Sequence, residues 1–127
     1  MTSALPMKIK IQLFCGHEIA MGPGKADLLD AIKAHGSIAA AGRAMDMSYR
    51  RAWQLVDVMN RCWQEPLVET TLGSSQRGGG ARITPFGDTV LAQYRGLQGC
   101  AATLAAGDEQ AALALAILAQ PRTSQTR

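Results

Sequence analysis

The chain of 127 residues has the size of a single domain. Its apolar fraction is 47% and its charged fraction 18%, which is typical of a folded globular protein and excludes an intrinsically disordered one. The net charge of +3 is too small to identify a nucleic-acid-binding protein by itself. The arginines, however, lie between positions 43 and 127, so a basic surface can form locally.

No stretch of the sequence is long and apolar enough to predict a membrane span. The first six residues also lack the basic-then-apolar pattern of a signal peptide. We therefore expect a cytoplasmic protein with no membrane partner.

The cysteines, Cys15, Cys62 and Cys100, are widely separated and form no Cys-x-x-Cys pair, so neither a disulfide framework nor a zinc site is predicted. We expect them to be buried thiols. His17 and His35 have no partner at the spacing of metal ligands, and we predict them to be surface or capping residues. The sequence thus predicts no metal and no cofactor.

The first predicted elements are a flexible arm over residues 1–6 and a strand over residues 7–15, where apolar and polar residues alternate. The segment 16–24, which contains Pro23, is expected to end the strand. Three helices are predicted next, over residues 25–35, 38–45 and 49–63. Gly36 suits the end of the first helix, and the hydroxyls of Ser37 and Ser48 suit the starts of the other two.

The third predicted helix has two distinct faces. Its inner stripe is predicted to contain Tyr49, Ala52, Trp53, Val56, Met59 and Trp63, and its outer face Arg50, Arg51, Gln54, Asp57 and Arg61. We expect both tryptophans to belong to the core rather than to stack on bases. For Tyr49, the core and contact with a phosphate remain equally open.

The second half of the chain begins with a predicted hairpin, formed by strands over residues 67–72 and 81–84 around a glycine-rich tip. Thr84 and Pro85 suit the start of a long helix over residues 85–106. Asp108 is predicted to cap a last helix that ends near residue 120, before a flexible tail over 121–127. Residues 7–106 are thus the predicted domain, followed by a C-terminal helix over 107–120.

This order of elements is typical of a mainly α winged helix-turn-helix fold, in which the second helix of the pair enters the major groove of DNA. Arginine matches the acceptors of guanine and glutamine those of adenine, so we predict base contacts by Arg50, Arg51 and Gln54. Contacts to the DNA backbone are predicted for Ser37, Ser48, Tyr49, Arg77 and Arg82. The alternatives are an ordinary solvated helix face and a phosphate-binding loop, although the hairpin tip lacks the Walker pattern.

The motifs also resemble a known family. The pairs Ser48-Tyr49, Ala52-Trp53 and Met59-Asn60, with Leu67-Val68-Glu69, Gly78-Gly79-Gly80 and Thr84 before Gly87, resemble the N-terminal DNA-binding domain of ModE-type molybdate-responsive regulators. The resemblance spans about residues 8 to 100. A more distant one is to the winged helix of LysR-type regulators.

This resemblance implies a homodimer, formed mainly through the first helix and the long helix after the wing, which binds a palindromic DNA site. The sequence departs from the pattern at Asp46, where the turn between the two helices often has glycine; aspartate tolerates the left-handed backbone. Residues 107–127 are too few to form the molybdate-binding domains of the full-length regulators, so direct molybdate binding is not expected.

No catalytic motif is visible, so we predict that the chain is not an enzyme. Two hypotheses remain for its function. The first is a sequence-specific DNA-binding transcriptional regulator. The second is a winged-helix module that binds another protein, which the modest net charge leaves open.

Overall fold

A computed structural model of the chain describes residues 6–71 and 79–124. Along these residues the elements are β1 (Leu13–Cys15), β2 (Glu18–Met21), α1 (Pro23–His35), α2 (Ile38–Ala44), α3 (Tyr49–Cys62), β3 (Val68–Thr70), β4 (Ala81–Ile83), α4 (Pro85–Ala105) and α5 (Asp108–Ala116). The predicted fold class is confirmed: helices predominate, and a helix pair is followed by a short hairpin and a long helix. No helix of the described part of the chain has the length and apolar character to cross a membrane.

Two compact units make up the molecule. The larger comprises Lys10–Gln98 and contains every element from β1 to β4 together with the first part of α4. The smaller contains the described residues before Lys10 and those from Gly99 onward, including α5. The helix pair and the hairpin therefore share one packed unit.

The N-terminal strand is shorter than predicted, and a second strand follows it. Residues 6–12 form no strand, and β1 pairs with β2 in an antiparallel hairpin. Gly16 makes this turn possible, because its φ of 59° lies in the left-handed region that glycine adopts without strain. The alternation of apolar and polar residues over 7–15 predicted too long a strand. Such alternation indicates that one face is buried, but it does not show that the backbone pairs with another strand.

Helix α1 begins at Pro23, two residues before the predicted start, because proline fits the first turn of a helix, where no amide hydrogen is needed. It ends as predicted at Gly36, whose φ is 77°. The Gly36 carbonyl then accepts a hydrogen bond from the Ala81 amide at 2.8 Å. This bond joins the end of α1 to β4 of the second hairpin.

The turn between α2 and α3 confirms the expectation for Asp46. Its φ of 57° is the only positive φ of a non-glycine residue in the described ranges. The amide of Met47 donates to the Gly42 carbonyl at 2.9 Å and closes the turn. A Cβ at Gly42 would lie 3.2 Å from that of Ala52, so the glycine lets the two helices approach closely.

The core of the larger unit forms where α1, α2, α3 and the second hairpin meet. Its largest fully buried side chains are Met21, Leu28, Leu29, Ile32, Met59, Leu67 and Tyr94. Leu28, Leu29 and Ile32 lie at the spacing of one face of α1. The Tyr94 hydroxyl donates a 2.7 Å hydrogen bond to the Ile11 carbonyl, which ties α4 to the segment before β1.

The second hairpin is held to both of its neighbouring helices. The side-chain oxygen of Asn60, near the end of α3, accepts from the amides of Leu67 and Val68 at 2.9 and 3.1 Å. The Thr84 hydroxyl accepts from the Gly87 amide at 2.8 Å and so caps α4, as predicted. A Cβ at Gly87 would lie only 2.3 Å from the Leu67 carbonyl oxygen, so only glycine fits there.

Helix α5 differs from its prediction at both ends. Its N-cap is Gly107 rather than Asp108, with no side-chain capping bond, and the helix stops at Ala116. The prediction placed the end near residue 120 because alanine and leucine favour helix whether or not they are packed.

The cysteines also differ from their prediction. Cys15 and Cys100 are exposed and Cys62 is only partly buried, so the expectation of buried thiols is wrong. Cys15 and Cys62 each end an element, at the edge of the packed unit, where the backbone leaves the core. His17 and His35 lie on the surface, as expected.

Candidate nucleic-acid interface

The outer face of α3 presents the three side chains predicted to contact bases. At 3.6 residues per turn, Arg50, Gln54 and Arg51 lie within about 100° of one another around the helix axis, and all three are exposed. The buried residues of α3 lie on the opposite side: Ala52, Val56 and Met59. The structure thus brings the three polar side chains onto one surface.

The predicted capping serines hold the helix pair in place. The Ser48 hydroxyl accepts a 3.0 Å hydrogen bond from the Arg51 amide, and the Ser37 hydroxyl accepts one of 3.0 Å from the Ala40 amide. Both serines therefore already have a structural role at a helix N-terminus. Ser48 is exposed while Ser37 is half-buried, so Ser48 is the more accessible to a phosphate.

The aromatic residues of α3 divide differently from the prediction. Trp53 is 47% exposed, so its assignment to the core is wrong; it lies about 100° from the centre of the buried stripe. The Trp63 indole donates a 3.1 Å hydrogen bond to the Ala20 carbonyl and packs against the core, as predicted. Tyr49 is half-buried and also packs against the core.

A shallow groove of about 450 Å³ lies between α3, the turn of the first hairpin and the start of α1. Its lining includes Arg51, Gln54 and Lys25. Burial lowers the pKa of the Lys25 ammonium, and the positive charge of Arg51 lowers it further. Glu18, which also lines this groove, opposes that lowering of the Lys25 pKa. Two neighbouring cations still favour an anionic partner. Lys25 lies far from α3 in the chain, so helical spacing could not identify it.

Acidic residues neutralise the far end of the same face. Arg61 forms an ion pair of 3.0 Å with Asp57 and a longer one of 3.7 Å with Glu18. The hydrogen bond and charge of Asp57 raise the pKa of Arg61. The positive charge that is free for a partner is therefore concentrated in the first two turns of α3.

The second hairpin carries one described candidate. Arg82 is exposed, but its guanidinium is bound to the Glu69 carboxylate at 3.1 Å, directly across the antiparallel pair. Arg77 lies outside the described residues. In the described ranges, no group of three or more histidine, cysteine, aspartate or glutamate side chains is arranged to hold a metal ion.

The sequence of the chain is similar to those of several curated proteins. The chain is 39% identical over 79 residues to the molybdenum transport protein ModE of Azotobacter vinelandii, covering 62% of this chain and 29% of the relative. It is 38% identical over 90 residues to the molybdenum-pterin-binding protein MopB of Rhodobacter capsulatus, covering 71% and 33%. It is 31% identical over 90 residues to the DNA-binding transcriptional dual regulator ModE of Escherichia coli K12, covering 71% and 32%.

The chain spans about a third of the length of these curated relatives. A solved structure, the full-length LysR-type regulator LysG of Corynebacterium glutamicum with bound arginine, aligns with 68% of this chain and 27% of its own at 24% identity and a TM-score of 0.49. No protein-family model matches the sequence. The relatives confirm the resemblance that the motifs indicated: over 79 to 90 residues, this chain is similar to ModE-type transcriptional regulators.

Proposed function

We propose that the chain is a cytoplasmic, sequence-specific DNA-binding transcriptional regulator rather than an enzyme, and that α3 is its recognition helix. One observation carries the proposal: Arg50, Arg51 and Gln54 project together from the first turns of α3, opposite its buried stripe. Such a helix can enter a major groove while its apolar side stays on the domain. The relative from Escherichia coli, named as a DNA-binding transcriptional dual regulator, supports the same function.

In this proposal the roles divide by position on the domain. Arg50, Arg51 and Gln54 contact base edges, and Ser48 and Tyr49 contact phosphates at the start of α3. Ser37, Arg77 and Arg82 are proposed as further backbone contacts, and Arg82 must exchange its bond with Glu69 for one with a phosphate. Such an exchange is inexpensive, because an exposed ion pair is worth about 0–1 kcal/mol.

We also propose that the protein acts as a homodimer on a palindromic site. Exposed apolar side chains support this: Leu104, Leu113, Leu115, Ile117 and Leu118. In the smaller unit, Pro6, Met7, Leu113, Ala116 and Ile117 line an apolar groove of about 400 Å³. Exposed apolar side chains and an apolar groove are typical of a protein interface. Because molybdenum appears only in the names of relatives that are about three times as long, the proposal includes no molybdate site.

Arg51→Ala tests the base-reading role. A duplex selected from a random pool by the wild-type protein serves as the specific site, and binding is measured by fluorescence anisotropy at fixed salt. We expect the variant to lose about 1–3 kcal/mol of discrimination between this site and a scrambled duplex. The matched control is Arg122→Ala, which removes the same charge outside the larger unit and should keep the discrimination.

The result that contradicts the base-reading role is equal discrimination by Arg51→Ala and wild type.

Sedimentation equilibrium with and without the duplex tests the dimer. A mass of one protomer at all concentrations, with one protomer per duplex, would contradict the proposed homodimer. Affinity should also fall steeply as salt rises, because counterions are released when lysine and arginine neutralise phosphates.

A second function, binding of another protein by the same face, is favoured by Trp53. Its exposed indole suits a protein interface, where tryptophan is enriched. Titration with mixed-sequence duplex at low salt separates the two functions. Absence of any binding there would favour the protein-binding module.

A further inference from the structure

The last residue of β1 and the last residue of α3 are both cysteines, and the fold brings them together. The two residues are far apart in the chain, but both lie beside β2: Cys15 pairs with Glu18 in the hairpin, and the residues on either side of Cys62 bond to Glu18 and Ala20. Both are free thiols in this structure. Their spacing in the sequence did not predict this proximity, because it depends on how α3 packs against the first hairpin.

Bonds on either side of Cys62 hold it close to Cys15. Arg61, just before Cys62, pairs with Glu18 at 3.7 Å, and Glu18 is the residue opposite Cys15 in the first hairpin. Trp63, just after Cys62, donates its indole hydrogen to the Ala20 carbonyl at 3.1 Å. Because both neighbours of Cys62 are bound to β2, the end of α3 is held against the hairpin.

The two thiols have different surroundings. Cys15 is exposed to solvent, whereas Cys62 is partly buried. Burial raises the pKa of the Cys62 thiol, and its interaction with Cys15 raises it further. The accessible Cys15 is therefore the thiol that meets an external oxidant first, and Cys62 is placed to react second.

We propose that Cys15 and Cys62 are a site of reversible oxidation, at which a small-molecule disulfide converts the two thiols into one intramolecular disulfide. The inference goes beyond the proposed function and does not depend on it. It requires only that the hairpin and the end of α3 stay in contact.

The reaction proceeds by two thiol–disulfide exchanges. The Cys15 thiolate attacks one sulfur of the small disulfide, the old S–S bond breaks, and one small thiolate leaves. Cys62 then loses its proton and attacks the Cys15 sulfur, and the second small thiolate leaves. The protein loses two electrons and two protons, and the small disulfide gains them and becomes two thiols.

The site is tested in the full chain carrying Cys100→Ser, which removes the third thiol. The protein is equilibrated with mixtures of reduced and oxidised glutathione, quenched in acid, alkylated and weighed by mass spectrometry. We expect both thiols to disappear in one step, with a mass lower by two hydrogen atoms and no glutathione retained. Proteolysis should then yield one cross-linked peptide pair containing Cys15 and Cys62.

Two comparisons make the result specific. Cys15→Ser and Cys62→Ser, each combined with Cys100→Ser, should retain one glutathione instead; circular dichroism checks that each variant is folded. In concentrated guanidinium chloride the two cysteines are no longer held close together. The ratio of oxidised to reduced glutathione at which half of the protein is oxidised should therefore rise at least about tenfold. Separate glutathione adducts on both thiols, a link between two chains, or an unchanged midpoint in denaturant would overturn the proposal.

Discussion

Helices α3 and α5 have opposite relations between their sequences and their surroundings. Helix α3 buries Ala52, Val56 and Met59 and exposes charged and polar residues on its other side. Helix α5 is rich in alanine and leucine, yet none of its residues is buried, and Leu115 is 88% exposed. In the described part of the chain, α3 thus exposes polar side chains and α5 exposes apolar ones.

The difference shows how each helix is stabilised. Most helical stability in proteins comes from packing an apolar face, and α3 has such a face. Its other side is polar and can stay in water until a partner binds. The apolar residues of α5 instead need a second surface to remove them from water. We therefore expect substitutions on the buried face of α3 to act within one protomer, and those of the exposed apolar residues of α5 to act through assembly.

The largest effect is expected for Met59→Ala. Met59 is fully buried, and truncating a buried methionine costs about 2–5 kcal/mol of unfolding free energy. Leu115→Ala is the matched truncation in α5, and at protein concentrations where the chain is monomeric it should change this free energy by about 0.5 kcal/mol or less. Urea titration followed by circular dichroism measures both.

The concentration dependence sharpens this comparison. The loss of unfolding free energy caused by Met59→Ala should be the same in dilute and concentrated samples. A loss caused by Leu115→Ala should appear only at concentrations where dimers form. Equal deficits for the two variants in dilute samples would contradict the assignment of α5 as an unpacked helix.

An intermediate effect is expected at the end of α3, where Asn60 binds the helix to the second hairpin. Asn60→Ala removes the acceptor for the Leu67 and Val68 amides and the donor to the Val68 carbonyl. Leaving such groups unpaired should cost about 1–3 kcal/mol. Gln64→Ala, at an exposed position just beyond the helix, is the control in the same urea titration. A loss no larger than that of the control would show that these bonds contribute little.

The smallest effect concerns pH and the buried part of α4. Burial raises the pKa of the Tyr94 phenol, whose hydroxyl donates to the Ile11 carbonyl. Above about pH 10 the unfolded chain loses this proton before the folded one does, so the contribution of Tyr94 to stability is present below that pH and is lost as pH rises further. Tyr94→Phe lacks this titration.

The difference in unfolding free energy between wild type and Tyr94→Phe should therefore narrow as pH rises from 8 to 11. Subtracting the two curves removes the titration of the lysines, which both proteins share. A difference that is constant or grows over this range would contradict a raised pKa for Tyr94.

Local signals predicted the elements well where one residue determines the backbone. Ser37, Ser48 and Thr84 cap their helices as expected, since a hydroxyl at these positions satisfies a free amide of the first turn. The positive φ of Asp46 was also anticipated from the backbone tolerance of aspartate. Strand β2 was missed because its four residues are too few to show a period.

The candidate site was predicted only in part. The face that carries Arg50, Arg51 and Gln54 follows from helical spacing within one element. Lys25 was missed because it reaches Arg51 only when α1 packs beside α3, and the pairing of Arg82 with Glu69 depends on the strand register. The prediction that Trp53 belongs to the core was wrong because its position borders the buried stripe of α3. At such a position, helical spacing does not decide whether another element packs over the side chain.

Taken by itself, the sequence determined the helix starts, the tight turn at Asp46 and the polar face of α3, because each depends on residues within one or two turns of chain. Only the tertiary structure decided which arginines pair with acids of other elements, which tryptophan is exposed, and that Cys15 lies close to Cys62. These are contacts between distant segments, and such contacts form only when the segments pack around a common core.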